Sequence, residues 1–455
     1  MFESIKHIHF IGIGGSGMSG IAELLLNRGY IISGSDLKHS EVTQRLINMG
    51  AKVYIGHRAK NTKGADVVVK STAVNKTNIE VLTALKKRTP VIPRAEMLAE
   101  LMRLHYSILV AGTHGKTTTT SMISWIMSKC GMDPTVAIGG CLNNFGTGAK
   151  LGQGKFMIAE ADESDGSFLK LTPTVAVITN IDNDHMDYYK SFNNLFNSFM
   201  QFVNKLPFYG WLIANNDDKH VRKIMAGVNR KVYTYGIKNE SNLTAYDICI
   251  EKSMTAFNVH YNNKKLGRLR TRLHGEHNVL NSLGAILTCL ELGISFKQIV
   301  EAFSEFQGVG RRLEIKGQKK DVIVIDDYGH HPNEISATWE SVKNVWNNRK
   351  KYIVFQPHRY SRTQLLAKEF AKELSKMENV ILLPIYPAGE KPINGISSKT
   401  ILRHIPKTKR NKILYINNQE QVVPYLLDNI NTQSLVLTLG AGNVFKIGEE
   451  LLKRL

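Results

Sequence analysis

The chain is poor in cysteine and has no long apolar run, and both scarcities narrow what it can be. Its four cysteines, Cys130, Cys141, Cys249 and Cys289, are scattered without CxxC spacing. That pattern excludes a disulfide framework and a cysteine-built metal site, and predicts small buried residues in a reducing compartment. No stretch approaches the roughly 18 to 20 apolar residues that span a bilayer, so no membrane contact is expected. The first nine residues lack a basic segment followed by an apolar one. No secretory leader is therefore expected, and the reading is cytoplasmic. Acids are short as well: 39 Asp and Glu face 59 Lys and Arg, a net charge of +20. The bases are spread along the chain instead of forming an arm, so no nucleic-acid partner is expected. Positive potential also suits anionic nucleotide substrates. Long linkers, low-complexity tracts and short-period repeats are missing too. With 43% hydrophobic and 22% charged residues over 455 positions, the chain reads as globular, with about two to three domains.

Residues 111–120, AGTHGKTTTT, are the most informative stretch that is present. An apolar run at 107–110 precedes them and a helix-like segment at 121–129 follows. Strand, glycine-rich turn and helix together can hold a triphosphate, because turn amides and the helix N-terminus face its oxygens. Lys116 supplies a point charge for the outer phosphates and Thr117 a hydroxyl for Mg²⁺. The strict spacing asks for glycine where Val110 stands; Gly112 gives a tighter variant.

A second glycine turn lies near the N-terminus. A predicted strand at 7–11 runs into Gly12-Ile13-Gly14-Gly15-Ser16-Gly17, then a helical pattern at 18–27 and a strand at 30–33. Asp36 supplies the acid that follows such a turn by about twenty residues. Taken alone, the turn implies a dinucleotide or a nucleotide diphosphate. Further β/α units are predicted from strands at 51–55, 67–69 and 91–92 and a helix at 95–103.

In the middle of the chain, apolar runs at 156–159, 174–179 and 211–214 each end in polar clusters. The first cluster is Glu160-Ala161-Asp162-Glu163-Ser164-Asp165; the second holds Asp184, His185 and Asp187. Ligands bind at the carboxyl ends of strands in open α/β sheets. Thr117 and Glu160 are therefore Mg²⁺ candidates, and His185 could bind or position a second ion. Asp162, Glu163 and Asp165 read equally as surface acids or ligands. Antiparallel strands are predicted over 231–273, followed by an apolar helix. From about residue 311, strands at 322–325, 352–355, 380–383 and 435–439 alternate with helices. His330 and His331 precede Pro332; no Cys or second His pair supports zinc ligation there, which favours substrate contact or a hydrogen-bonded turn. Arg359 and Arg362, just before an amphipathic pattern at 364–374, can form a fork for phosphate or carboxylate. Short joints near His105 and 308–310 suit domains that close on one another. Activation of a carboxylate by γ-phosphoryl transfer, then attack by an amine, accounts for these groups together.

The chain resembles the Mur ligases of peptidoglycan synthesis, and among them the alanine-adding branch. The likeness runs over essentially the whole length. It is carried by HFIGIGGSGMSGIAE at 9–23, AGTHGKTTTT, EADESDGSF at 160–168, TNIDNDHMD at 179–187, HGEHNVLN at 274–281, DDYGHHP at 326–332, QPHRYSRT at 356–363 and LTLGAGN at 437–443. The resemblance implies an α/β protein of three-domain Mur ligase architecture. Residues 1–105 would form an N-terminal Rossmann-like UDP-sugar domain and 106–310 a central P-loop ATPase domain. A C-terminal Rossmann-like α/β domain for the amino acid would follow over 311–455. It further implies ATP and Mg²⁺ as cofactors, UDP-N-acetylmuramate and L-alanine as partners, an acyl-phosphate intermediate, and a monomer or weak dimer. Gly14, Gly15, Ser16, Gly17, Asp36, His57, Ser71 and Arg94 would serve the UDP-sugar. Gly112, Thr113, His114, Gly115, Lys116, Thr117 and Thr118 would hold the triphosphate, Asn278 and Asn281 the adenine, and Arg312 the nucleotide from a hinge. Thr117, Glu160 and His185 would be the metal residues. Lys116, Glu160, His185, His330, Arg359 and Arg362 would carry the chemistry. Two positions depart from the family: Phe199 and Met200 stand where several sister ligases carry a carbamylated lysine, and Asn443 replaces Asp.

Rival readings are a recycling ligase attaching a tripeptide to the same UDP-sugar, an NAD-dependent oxidoreductase, and a non-catalytic nucleotide-dependent binding protein. The turn GIGGSGMSG favours alanine addition over the first. The intact Lys116, Thr117, Glu160 and His185 set disfavours the other two.

Overall fold

The computed structural model describes residues 5–71, 73–103, 105–142, 147–251 and 254–455, without the side chains of residues 16, 140–142, 147 and 187. Two compact units are formed. One lies within Met1–Cys249, Ala256–Thr271 and Asn278–Val309, the other within Ile250–Thr255, Arg272–His277 and Gly310–Leu455.

The first unit begins with a five-stranded sheet in the order Lys52–Ile55, Ile31–Asp36, His7–Ile11, Val67–Lys70, Val91–Pro93. All its pairings are parallel. Ile8, Phe10, Val68 and Val69 are wholly buried, as strands covered on both faces must be. Strand order reverses beside His7–Ile11, which opens a crevice at the carboxyl ends there.

A ten-stranded sheet follows. Its centre is the parallel series Lys231–Gly236, Trp211–Asn215, Val175–Ile178, Tyr106–Ala111, Phe156–Glu160, Thr135–Leu142, and Thr147–Lys150 adds an antiparallel edge. The antiparallel expectation for 231–273 fails at its start. Lys231–Gly236 runs parallel to both Trp211–Asn215 and Leu243–Glu251. The helix Lys219–Ala226 supplies the crossover that parallel pairing requires. Asn262 and Asn263 form a two-residue turn between Met254–Tyr261 and Lys264–Thr271, both left-handed with φ 47° and 63°, as a tight hairpin demands. One apolar core runs through both sheets of this unit, joining Ile8, Phe10 and Leu25 to Leu109, Met157 and Phe199. Gly20 lets the helix Ser16–Asn27 approach Ala149, to which an added Cβ would come within 3.3 Å.

The second unit has six strands, Glu314–Lys319, Val322–Asp327, Ser434–Leu439, Lys350–Phe355, Val380–Leu382 and Ile413–Tyr415, of which the first alone pairs antiparallel. Ile325, Phe355 and Leu437 pack on one face and Val324, Val354 and Val436 on the other. That is the period of two expected of strands buried on both sides. Cys249 is exposed, whereas Cys289 is buried, and Cys130, Cys249 and Cys289 are free. The expectation that all four cysteines are buried therefore holds at Cys289 and fails at Cys249, in the exposed run of Leu243–Glu251, while Cys130 is only partly buried; the Cys141 side chain lies outside the described residues. No helix among the described residues is long and apolar enough to cross a membrane.

Candidate active site

Tyr106–Ala111 ends in the predicted phosphate loop. Gly112 (φ 137°) and Gly115 (φ 84°) adopt backbone angles that side chains resist. A Cβ on Gly112 would strike the Thr179 hydroxyl, and one on Gly115 the Asn281 amide. The loop is tied to the end of the neighbouring strand. Thr113 N donates to Asn180 O (3.0 Å), and His114 N donates to Asn180 Oδ1 (2.8 Å). Thr179 Oγ1 and Asn180 Nδ2 both donate to His114 O. The helix Lys116–Lys129 starts directly after Gly115, five residues earlier than predicted, so Lys116, Thr117 and Thr118 form its first turn. Asn278 and Asn281 are buried on the helix Glu276–Glu291, with Asn281 against Gly115.

Three acids and a histidine meet this turn. Glu160, ending Phe156–Glu160, accepts from Thr117 Oγ1 (3.1 Å) and Gly139 N (2.9 Å), while burial pushes its carboxyl up. Glu163 is fully buried and forms an ion pair with Lys116. Lys116 Nζ lies 2.9 Å and 2.8 Å from the two Glu163 oxygens, and it also donates to Gly112 O and Thr113 O. Burial opposes charge on both partners. At 2.8 Å the attraction prevails for Lys116, whose pKa is raised by Glu163 and Asp162. The alternative of Glu163 as a surface acid is thereby excluded. His185 Nε2 lies 3.7 Å from Glu163 Oε1 and 3.7 Å from Asp184 Oδ2. Its left-handed φ of 58° is the kind of backbone strain that gathers at functional sites. Asp162 reaches Arg94 (3.6 Å), whereas Asp165 accepts from Ser167 N and is structural. The Asp187 side chain lies outside the described residues.

The N-terminal turn is equally well built. Gly12 N and Ile13 N donate to Ser35 O, and Gly14 N donates to Asp36 Oδ2 (2.8 Å). Asp36 therefore fastens the turn itself. Gly15 caps the helix Ser16–Asn27; the Ser16 side chain lies outside the described residues. A Cβ on Gly17 would overlap the Arg94 guanidinium, and one on Gly12 would meet Ser71 at 3.5 Å. His57 Nδ1 lies 3.0 Å from Ser35 Oγ. All these groups stand at the carboxyl edge of the five-stranded sheet.

In the second unit, His330 precedes the helix Pro332–Val345, and its ring lies 5.6 Å from that of His358. Burial lowers the pKa of His330 to about 4 and that of His358 to about 3, where neighbouring His330, Arg362 and Arg359 add to the effect. Arg362 Nη1 approaches His358 Nδ1 at 3.4 Å. Arg359 caps the helix Tyr360–Leu365 with φ 70° and ψ 141°, an outlier for a non-glycine residue. His331 is a helix cap, accepting from Asn333 N, which decides for the hydrogen-bonded turn. Arg312 lies 3.6 Å from Glu334 and over the Tyr328 ring.

Residues 7–106 match the Mur ligase family catalytic domain, 110–289 the Mur ligase middle domain and 311–442 the Mur ligase glutamate ligase domain. A UDP-N-acetylmuramate–L-alanine ligase of Geotalea uraniireducens is 49% identical over 455 residues, covering 100% of this chain and 99% of its own. The enzyme of that name from Syntrophotalea carbinolica is 51% identical over 451 residues, covering 99% and 98%. The chain belongs to the Mur ligase family. Among solved structures, the UDP-N-acetylmuramate–alanine ligase of Thermotoga maritima matches with a TM-score of 0.85 at 27% identity, over 99% of each chain. Three Mur ligase domains therefore make up this α/β chain.

Membership in the Mur ligases sets aside an oxidoreductase built on the N-terminal turn. Two residues that matter here were not singled out in the sequence as site residues. Glu163 has no periodic signal, because it lies beyond its strand in a run of acids. Arg311 donates to Asp326 Oδ2 (2.9 Å), Gly442 O (3.0 Å) and Gly440 O (2.6 Å), partners remote in sequence. Phe199 is fully buried against Phe168, ring centroids 5.3 Å apart, so an apolar core fills the place of the carbamylated lysine. Asn443 accepts from Gln356 Nε2 (3.1 Å), a bond an aspartate would also accept.

Proposed function

We propose that the chain is an ATP-dependent ligase that joins L-alanine to UDP-N-acetylmuramate. One observation carries this reading. Lys116 and Thr117, on a phosphate loop, face Glu160, Glu163 and His185 at neighbouring strand ends, with Arg94 bridging from the glycine turn to Asp162. The names of the full-length relatives agree with it. The glycine turn at 14–17 with Asp36, His57, Ser71 and Arg94 takes the UDP-sugar. Residues 112–118 take the triphosphate, Asn278 and Asn281 the adenine, and Arg312 the nucleotide. The three domains divide as 1–105, 106–310 and 311–455, and the protein works in the cytoplasm as a monomer or weak dimer.

The residues present fit Mg²⁺. Thr117 Oγ1 and Glu160 Oε2 are 3.1 Å apart, close to the spacing of adjacent oxygens around an ion with ligand distances of about 2.1 Å. No cluster of three or more His, Cys, Asp or Glu that could hold a metal occurs among the described residues. That suits an ion that keeps water and phosphate oxygens and takes few protein ligands. When bound, Mg²⁺ would neutralise charge on the phosphates; Thr117 and Glu160 would hold it, with His185 beside them. Lys116 offsets charge on the transferring phosphoryl group. The muramyl carboxylate attacks it, giving an acyl phosphate and ADP, and the alanine amine displaces phosphate. His330, neutral near pH 7, Arg359 and Arg362 place the carboxylates and the amine.

Incubating the protein with UDP-N-acetylmuramate, ATP and Mg²⁺ plus either L-alanine or the tripeptide tests the reading. Phosphate release dependent on L-alanine supports it; product with the tripeptide alone overturns it.

A further inference from the structure

A buried carboxylate outside the reacting centre has more partners than its place in the fold requires. Glu80, in the first turn of the helix Ile79–Lys86, is wholly buried under the carboxyl edge of the five-stranded sheet. Its Oε2 accepts from Ser35 Oγ (2.5 Å) and lies 3.4 Å from His57 Nδ1 and 3.6 Å from His9 Nε2. Its Oε1 accepts from Asn61 Nδ2 (2.5 Å) and Arg58 N (3.1 Å). Burial pushes the carboxyl up, but the nearby His9 ring and the hydrogen bonds from Ser35, Asn61 and Arg58 outweigh it and hold the pKa at about 2. Glu80 is therefore an acceptor only, and it takes the single Ser35 hydroxyl hydrogen.

A consequence follows for His57. Ser35 Oγ has spent its hydrogen on Glu80, so toward His57 Nδ1 (3.0 Å) it can only accept. Nδ1 must carry the proton, and in the neutral ring Nε2 is left with a lone pair. Among the described residues Nε2 makes no hydrogen bond, and the side chain is 19% exposed. Sheet order indicates what lies opposite. Arg94 follows the strand at one edge and leads through Asp162 toward Lys116, where phosphoryl transfer takes place. His57 follows the strand at the other edge, two strands or about 10 Å from the glycine turn. With the diphosphate on the turn and the sugar toward Arg94, the nucleoside extends toward His57.

We propose that Glu80 and Ser35 are positioning residues that fix the His57 tautomer, so that Nε2 accepts a hydrogen bond from the nucleoside of the UDP-sugar. The donor is the uracil N3–H or a ribose hydroxyl. This rests on the UDP-sugar assignment made above.

The test is a double-mutant cycle on the full-length ligase. Glu80→Gln and His57→Ala should each raise the UDP-sugar KM by about tenfold, the worth of one hydrogen bond, with kcat and the KM values for ATP and alanine unchanged. In the His57→Ala background, Glu80→Gln should add nothing. Nitrogen NMR of His57 should show the Nδ1–H tautomer in the wild type and its loss in Glu80→Gln. Should Glu80→Gln misfold, Ser35→Ala takes its place in the same cycle. A 3-methyluracil analogue that binds equally well to wild type and His57→Ala assigns the bond to N3–H; deoxyribose analogues behaving so assign it to ribose. Additive effects in the cycle, or an unchanged UDP-sugar KM in His57→Ala, would overturn the proposal. A wild type that turns over no UDP-sugar would instead overturn the functional reading itself.

Discussion

Replacing the phosphate-loop lysine does two separable things, and the structure allows them to be distinguished. Lys116→Ala removes the cation that neutralises the fully buried Glu163 carboxylate. Breaking a buried pair from one side costs about 3–5 kcal/mol, because the remaining charge is uncompensated. Lost activity in that variant would therefore mix loss of phosphate binding with loss of structure. Adding Glu163→Gln removes the orphaned charge and leaves a neutral amide, whose cost is about 1–2 kcal/mol. The double variant should consequently be about 2 kcal/mol more stable than Lys116→Ala alone, yet equally inactive. Urea unfolding reads the first quantity. Trp125 is a natural fluorescent probe, since it lies on the same helix with its Nε1 donating to Ala302 O (2.8 Å). Alanine-dependent phosphate release reads the second. A double variant no more stable than the single one refutes the ion-pair argument; recovered activity refutes the role given to Lys116.

Gly115→Ala should raise the ATP KM at least about tenfold, since φ 84° and the Asn281 amide both oppose a side chain; an unchanged KM counts against the loop geometry. Arg359→Gly should relieve strain of about 1–3 kcal/mol, part of it cancelled by the entropy of glycine, and stabilise the second unit while lowering kcat. A lower thermal midpoint contradicts this. Acid stability should differ between the units. His274, His330 and His358 have folded pKa values of about 4, 4 and 3, below the ordinary 6.5. Unfolding lets them bind protons sooner, so stability in the second unit falls as pH drops from 6.5 toward 4. Glu80 is depressed from 4.5 to about 2, so its contribution is intact above pH 4.5 and lost only toward pH 2. Thermal midpoints of the two transitions between pH 7 and 3 check the order.

Most of the fold was legible because its central strands are short, apolar and bounded by polar clusters. Tyr106–Ala111, Phe156–Glu160 and Val175–Ile178 each announce themselves as buried parallel strands with polar clusters at their ends. Strands lacking that contrast were missed. Glu314–Lys319 carries one large apolar residue at a sheet edge, and the parallel pairing of Lys231–Gly236 depends on tertiary context. Among site residues, the glycine turns were readable because local backbone chemistry demands glycine. Glu163 was ambiguous, since a run of acids carries no mark of which one turns inward. Glu80 escaped notice for a related reason: its partners Ser35, Arg58 and Asn61 lie 45, 22 and 19 residues away.

The uninterrupted apolar packing from Leu25 to Met157 bears on how the first half-reaction is timed. The two glycine turns are mounted on one block, so their separation is set by side-chain volume and not by a swinging hinge. Acyl phosphate formation should then tolerate viscous solvent and lengthened interdomain loops near residues 308–310. Steps that require the amino acid are where such perturbations should slow turnover.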